Sequence, residues 1–197
     1  FVKNSDNVSL AGQTVTFAAS SGILQATSAV TNASGVVTAK LSAGSNKSIR
    51  DITVTVTAGS VKGEIVIPVT GTRLSVAGNI SLQAGGSATQ YTIRAVDAAG
   101  SPVSGAAVKV TSALGNAVSP AELTTDASGS ASVLYTPNKA GLDTLSVAGL
   151  GTSASVDLSI NASDFAVVSP ASDTLVPVGS NQNVTVRYRL SGVGVSG

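Results

Sequence analysis

Apolar and polar residues alternate along much of this chain. Ile52, Val54 and Val56 stand between Thr53, Thr55 and Thr57. A period of two puts the two sets on opposite faces of a half-buried strand. The same pattern predicts strands over Gln13 to Ala19, with Val15 and Phe17 on one face, over Val36 to Leu41, and over Ile65, Ile67 and Val69. Pro68 falls on the opposite face of the last strand; having no N–H, it assigns that strand to a sheet edge. Beyond Thr70-Gly71-Thr72 the alternation predicts strands at Leu74/Val76, Ile80/Leu82, Tyr91/Ile93/Ala95, Val108/Val110, Ala117/Val118, Leu123, Ala131/Val133/Tyr135, Leu145/Val147 and Val156/Leu158/Ile160. Turn chemistry separates them, notably Gln83 to Gly86 and Asp97-Ala-Ala-Gly-Ser-Pro102. No segment carries the i, i+3, i+4, i+7 stripe of an amphipathic helix.

The pattern repeats. Thr125-Asp126-Ala127-Ser128-Gly129 has an earlier copy 94 residues upstream, Thr31-Asn32-Ala33-Ser34-Gly35. Gly12 to Phe17 matches Gly105 to Val110 at an offset of 93, and Val54, Val56, Ile65, Ile67 and Val69 match Leu145, Val147, Val156, Leu158 and Ile160 at 91. Tyr91 to Arg94 matches Val184 to Arg187 at 93. Self-similarity at a fixed period marks a tandem array. The expected units are a partial repeat over 1–71 that lacks its first strands, a complete repeat over 72–163, and the first strands of a further repeat over 164–197. The chain is expected to be a segment of a longer array. Seven to nine short strands in about ninety residues, with Gly/Pro/Asn/Asp turns between them, make each repeat a two-sheet, immunoglobulin-like sandwich. The fold class expected is all-β. The three-residue connection at Thr70 to Thr72 couples neighbouring repeats tightly.

Composition narrows the chemistry. The formal net charge is +1 and only 11% of residues are charged, too balanced for nucleic acid or a membrane surface held by bulk charge. Cysteine and histidine are absent. Disulfides, the Ser–His–Asp and Cys–His nucleophile systems and ordinary zinc sites are therefore excluded within this chain. No apolar run approaches the roughly 18 residues of a membrane-crossing helix.

Ten carboxylates remain: Asp6, Asp51, Glu64, Asp97, Glu122, Asp126, Asp143, Asp157, Asp164 and Asp173. Most sit in or beside turns, where an Asp bonds its own backbone, and paired-carboxylate catalysis is set aside on that ground. Calcium wants six to eight oxygens, whereas Asp97 to Gly100 and Asp126 to Gly129 each offer one carboxylate. A junctional cation site using Asp164 or Asp173 is the weaker reading. Gly44-Ser-Asn-Lys47-Ser48 resembles the tail of a phosphate loop but lacks its first glycine and a following helix; a solvated hairpin loop is expected. N-x-S/T occurs at Asn7, Asn32, Asn46, Asn79, Asn161 and Asn183, which turn composition explains. Arg94 and Arg187 share one repeat position and are read as solvent-facing strand residues paired to a nearby acid. No catalytic, cofactor-binding or metal residue is assigned, and no cofactor is expected.

The motifs G-x-x-V-x-V/F (Gly12 to Phe17, Gly105 to Val110) and T-D/N-A-S-G-x-A/V (Thr31 to Val37, Thr125 to Ala131) resemble the group 1 bacterial immunoglobulin-like repeats of the intimin/invasin adhesins. Asp97 to Val103, Val133 to Pro137, Ala140 to Val147 and Ala154 to Ile160 extend the likeness through the complete repeat. Repeat 1 departs from it after Leu41. The resemblance implies a non-enzymatic stalk on a Gram-negative cell surface, carrying an adhesive tip away from an outer-membrane anchor. The alternatives are an Ig-like module that itself binds protein or carbohydrate, and an accessory domain of a secreted enzyme or phage tail. The expected partners are neighbouring repeats and a host-cell surface protein, with no nucleic acid. A further expectation is strand exchange: Val184 to Leu190 of one copy completing the first repeat of another. Pairing of that segment only within its own chain would count against it.

Overall fold

The computed structural model describes residues 1–170, 174–190 and 193–194, and every helix-or-strand element among them is a strand. The first unit contains β1 (Thr14–Ala19), β2 (Ile23–Leu24), β3 (Ser28–Val30), β4 (Leu41–Ser42), β5 (Arg50–Ala58) and β6 (Val61–Val69). Its sheet runs β3-β1-β5-β6, with β2 and β4 forming a separate ribbon. Pro68 lies on β6, an edge strand as its missing N–H requires.

The central unit supplies β7 (Arg73–Ala77), β8 (Ser81–Gln83), β9 (Thr89–Val96), β10 (Ala107–Ser112), β11 (Ala117–Ser119), β12 (Glu122–Thr124), β13 (Ser130–Thr136), β14 (Gly141–Gly149) and β15 (Thr152–Asn161). They form two sheets, β12-β10-β14-β15-β8 and β11-β13-β9-β7. All neighbours are antiparallel except β8, which joins β15 in parallel. The inward residues of both sheets meet in one core: Tyr91, Ile93, Val133 and Tyr135 from one, Val108, Val110, Leu145, Val147, Leu158 and Ile160 from the other. Tyr91 and Tyr135 pack edge to face at 5.8 Å between ring centres, an arrangement aromatic rings favour. The Tyr91 hydroxyl donates to the Asn79 carbonyl.

A last group follows Asn161 after one residue: β16 (Ser163–Ser169), β17 (Thr185–Leu190) and β18 (Val193–Gly194), in the order β16-β17-β18.

Pairing registers recur with the sequence offsets. Val110 opposes Val147 in the central unit, and Phe17 opposes Val56 in the first. Ser75 and Val76 oppose Arg94 and Ile93, while Ala166 and Val167 oppose Arg187 and Val186. Even the entry to the first unit matches: the Val2 amide donates to Gly35 O as the Ala95 amide does to Gly129 O.

Two expectations are corrected. Val36 to Leu41 is not a strand throughout; only Leu41–Ser42 is. Its counterpart, β13, is held open by β9 from Thr89 to Arg94, and among the described residues no strand lies beside 36–40. Strand exchange by Val184 to Leu190 is not seen either. Thr185–Leu190 pairs within its own chain, with β16 along its length and β18 at its end. Part of the place it would take on the first unit is held by that unit's own Val2, bonded to Gly35.

Candidate functional site

The repeated turn works through its first residue. Thr125 is buried; its hydroxyl donates to Val103 O at 2.7 Å and accepts from the Ala106 amide at 2.9 Å. Thr31 makes the same pair of bonds, to Leu10 O and from the Gln13 amide, at the same distances. One hydroxyl thus ties the turn back to the loop that leads into β10, or into β1 in the earlier copy. Asp126 Oδ1 then accepts from the amides of Ser128 and Ser130 and from the Ser128 hydroxyl. The hydroxyl first, then the amides, hold its carboxyl below the usual range. Asn32 closes the copy through the amides of Ser34 and Val36. The glycine that ends the turn has a left-handed backbone, φ +73° at Gly129 and +68° at Gly35. A Cβ on Gly129 would also lie 2.6 Å from Ala95 O. Both facts require glycine.

Most of the other acids are also held by neighbours. Asp97 Oδ1 accepts from the Ala99 and Ser101 amides. Glu64 meets Lys62 at 2.8 Å, Glu122 meets Lys109 at 3.6 Å, and Asp157 accepts from Thr144 Oγ1. Asp164 faces Arg187 at 3.2 Å, and Arg94 is exposed on β9. Asp173 lies outside the described residues. Among the described residues no three His, Cys, Asp or Glu side chains gather as a metal would need.

Asp143 departs from the turn reading. It lies on β14, is only 3% exposed, and anchors a buried polar cluster. Its Oδ2 accepts from Ser112 Oγ at 2.5 Å, Tyr135 OH at 2.6 Å and Asn116 Nδ2 at 3.2 Å; Oδ1 accepts from the Leu114 amide at 2.8 Å. Asn116 Nδ2 also donates to the Tyr135 hydroxyl at 2.7 Å, and its Oδ1 accepts from the Lys139 amide at 2.7 Å. Burial pushes the carboxyl up, but the four hydrogen bonds outweigh it and hold the group at about 2. Burial, and then the neighbouring carboxylate, push the Tyr135 phenol up. With Asp143, Tyr135 and Asn116 closed to solvent, the cluster fixes the β10–β11 loop against the β13–β14 loop. The alternation Asp143, Leu145, Val147 was the available signal, since it places Asp143 on the inward face.

The Gly44 to Ser48 loop is also more than a solvated hairpin. Arg50 gathers it: Nη1 donates to Asn46 O and Ser48 O, Nη2 to Ala43 O, and Nε to Ser21 Oγ. The gathered loop then meets the central unit. Lys47 Nζ lies 3.0 Å from Asp97 Oδ2, the Thr72 hydroxyl donates to Lys47 O, and the Ile49 amide donates to Leu150 O at 2.8 Å. A side chain on Gly151 would run into the Ile49 carbonyl, and one on Gly71 into Ala98. The Lys47 bond first, with the Ser101 and Ala99 amides, holds the Asp97 carboxyl below its usual range.

Residues 72–161 match the sequence profile of the bacterial Ig-like domain (group 1). This segment belongs to that family. The Ig-like domain is the two-sheet unit of β7 to β15. No curated protein matches the chain. Among solved structures, the adhesin InvE of Yersinia pseudotuberculosis aligns at 21% identity and a TM-score of 0.48, over 81% of this chain and 52% of that one. Invasin, described as a bacterial integrin-binding protein, aligns at 22% and 0.40, over 100% and 43%. The D0-D1 domain of intimin aligns at 22% and 0.36, over 79% and 85%. The chain thus spans about half the length of InvE and less of invasin. The Ig-like fold rests on the strand pairing and the profile, not on these scores.

Proposed function

We propose that this chain is a stalk segment of a bacterial cell-surface adhesin, with one complete Ig-like domain over 72–163 flanked by parts of two others, 1–71 and 164–197. Its work is mechanical. Consecutive units are joined end to end by Thr70 to Thr72 and Asn161 to Ser163, so that length becomes reach from an outer membrane, and no residue serves catalysis. The observation that carries the reading is the recurrence of strand registers at the sequence period, with so little chain between units. Short linkers leave little room for independent tumbling. Group 1 Ig-like sequence and the adhesin character of the similar structures support a surface location. Among the described residues no helix is long and apolar enough to cross a membrane.

Two experiments test this. Protease treatment of intact source cells, followed by mass spectrometry, should release peptides of this chain; protection until lysis would overturn surface display. Small-angle scattering should show an extended particle about one sandwich wide; the profile of freely jointed globules would overturn the mechanical role.

A further inference from the structure

The two joints of the chain differ in chemistry. At the first, the Arg50-gathered loop reaches the Ig-like domain through three polar contacts: Lys47 to Asp97, Thr72 to Lys47 O, and Ile49 to Leu150. These contacts come from three separate places in the Ig-like domain: its first residue, the turn after β9 and the turn after β14. Three separate contacts restrain an orientation where one would leave a pivot. At the second joint, Leu190 stands 93 residues after Asp97, at the corresponding position. It pairs with Ser163, and Ser163 corresponds to Thr72. A leucine has no carboxylate to offer a lysine from the preceding unit.

We propose that the loop 43–49 is a latch that locks the first unit onto the Ig-like domain, with Asp97 as its catch, so that the chain bends at the second joint rather than the first. The inference deepens the stalk reading by naming the residues that stiffen one joint. Arg50 and Lys47 are positioning residues. Arg50 satisfies three carbonyls of the loop, which preforms the latch, and Lys47 then delivers charge to the catch. Lys47 remains 48% exposed against 15% for Asp97, so added salt reaches the pair and weakens it.

The substitution that isolates the catch is Asp97→Asn. An asparagine keeps the Oδ1 acceptor that closes the local turn. The chain itself shows that this works: Asn4, 93 residues before Asp97, accepts from the Asp6 and Val8 amides in the same way. Only the charge facing Lys47 is lost.

The chain has no cysteine, so introduced cysteines are unique spin-label sites. Labels at Ser60→Cys and Ala127→Cys span the first joint; Ala127→Cys and Gln182→Cys span the second. Double electron–electron resonance on the full chain should give a narrow distance distribution across the first joint and a broad one across the second. Asp97→Asn combined with Thr72→Val should broaden the first toward the width of the second, with an unchanged dichroism spectrum. Molar salt should move wild type part of the way, which a purely steric joint would not do. Equal widths in wild type, or a first-joint width that ignores both the double substitution and salt, would overturn the latch. Loss of the stalk reading would show instead as absence from the cell surface, which the spin-label distances do not report.

Discussion

The Ig-like domain and the unit before it solve one packing problem with different chemistry. In the domain, Asp143, Tyr135 and Ser112 meet in a buried hydrogen-bonded cluster. In the first unit the corresponding positions, by the offsets of 91, 94 and 93, are Ile52, Leu41 and Ala19. Ile52 is 1% exposed and sits on β5 opposite Ile67, as Asp143 sits on β14 opposite Leu158. The fold therefore accepts either an apolar plug or a charged network at this point. A buried carboxylate is tolerable only because every partner is present; half a network is worse than none.

The comparison can be broken at several points. The largest effect is expected from Asp143→Ala. It leaves Tyr135 OH, Ser112 Oγ and the Leu114 amide without their acceptor and removes one of those of Asn116 Nδ2, and should destabilise the Ig-like domain by about 3–5 kcal/mol, read as a fall in its urea midpoint. Gly129→Ala should follow, at about 2–3 kcal/mol, because it combines a left-handed backbone with a clash against Ala95 O. The same measurement checks it, and Gly35→Ala should weaken the first unit for the same reason.

Acid provides the next test. The Asp143 carboxyl falls from an ordinary 3.8 to about 2 on folding. A depressed folded-state value means stability that is full above about pH 4 and lost as pH falls toward 2. The loss is about 2 kcal/mol, measurable as a drop in melting temperature across that window. The triple substitution Asp143→Ile, Tyr135→Leu, Ser112→Ala copies the first unit. It should cost far less than Asp143→Ala, within about 1–2 kcal/mol of wild type, and should abolish the carboxylate's share of the acid response. A triple variant as unstable as Asp143→Ala would show that the two sites are not interchangeable. The smallest effect belongs to Lys109→Ala. Its pairing with Glu122 is exposed and long at 3.6 Å, and its loss should move stability by less than about 0.5 kcal/mol.

Much of the fold was legible because alternation and repetition are local signals. The Thr/Val run of β5, the edge role of β6 announced by Pro68, and the turn that Thr125 begins all follow from neighbouring residues. The candidate sites were harder to read. Its charge groups Asp143 with the turn acids, and in the sequence only its alternation with Leu145 and Val147 speaks against that. The segment around Lys47 reads as solvated, because nothing in it names Asp97, fifty residues away. Val36 to Leu41 has the right pattern for a strand. Yet a strand needs a partner, and the pattern of one segment cannot report whether its neighbour is there.

The sequence by itself determined the all-β class, the period, the inward face of strands such as β5, β9 and β13, and the turns that demand glycine. These depend on side-chain alternation and on backbone conformations that few residues adopt. The tertiary structure alone decided which polar groups meet: Asp143 with Tyr135, Lys47 with Asp97, β17 with β16 of its own chain. Such contacts join residues far apart in sequence, and their worth depends on burial and on the full set of partners, neither of which any single segment contains.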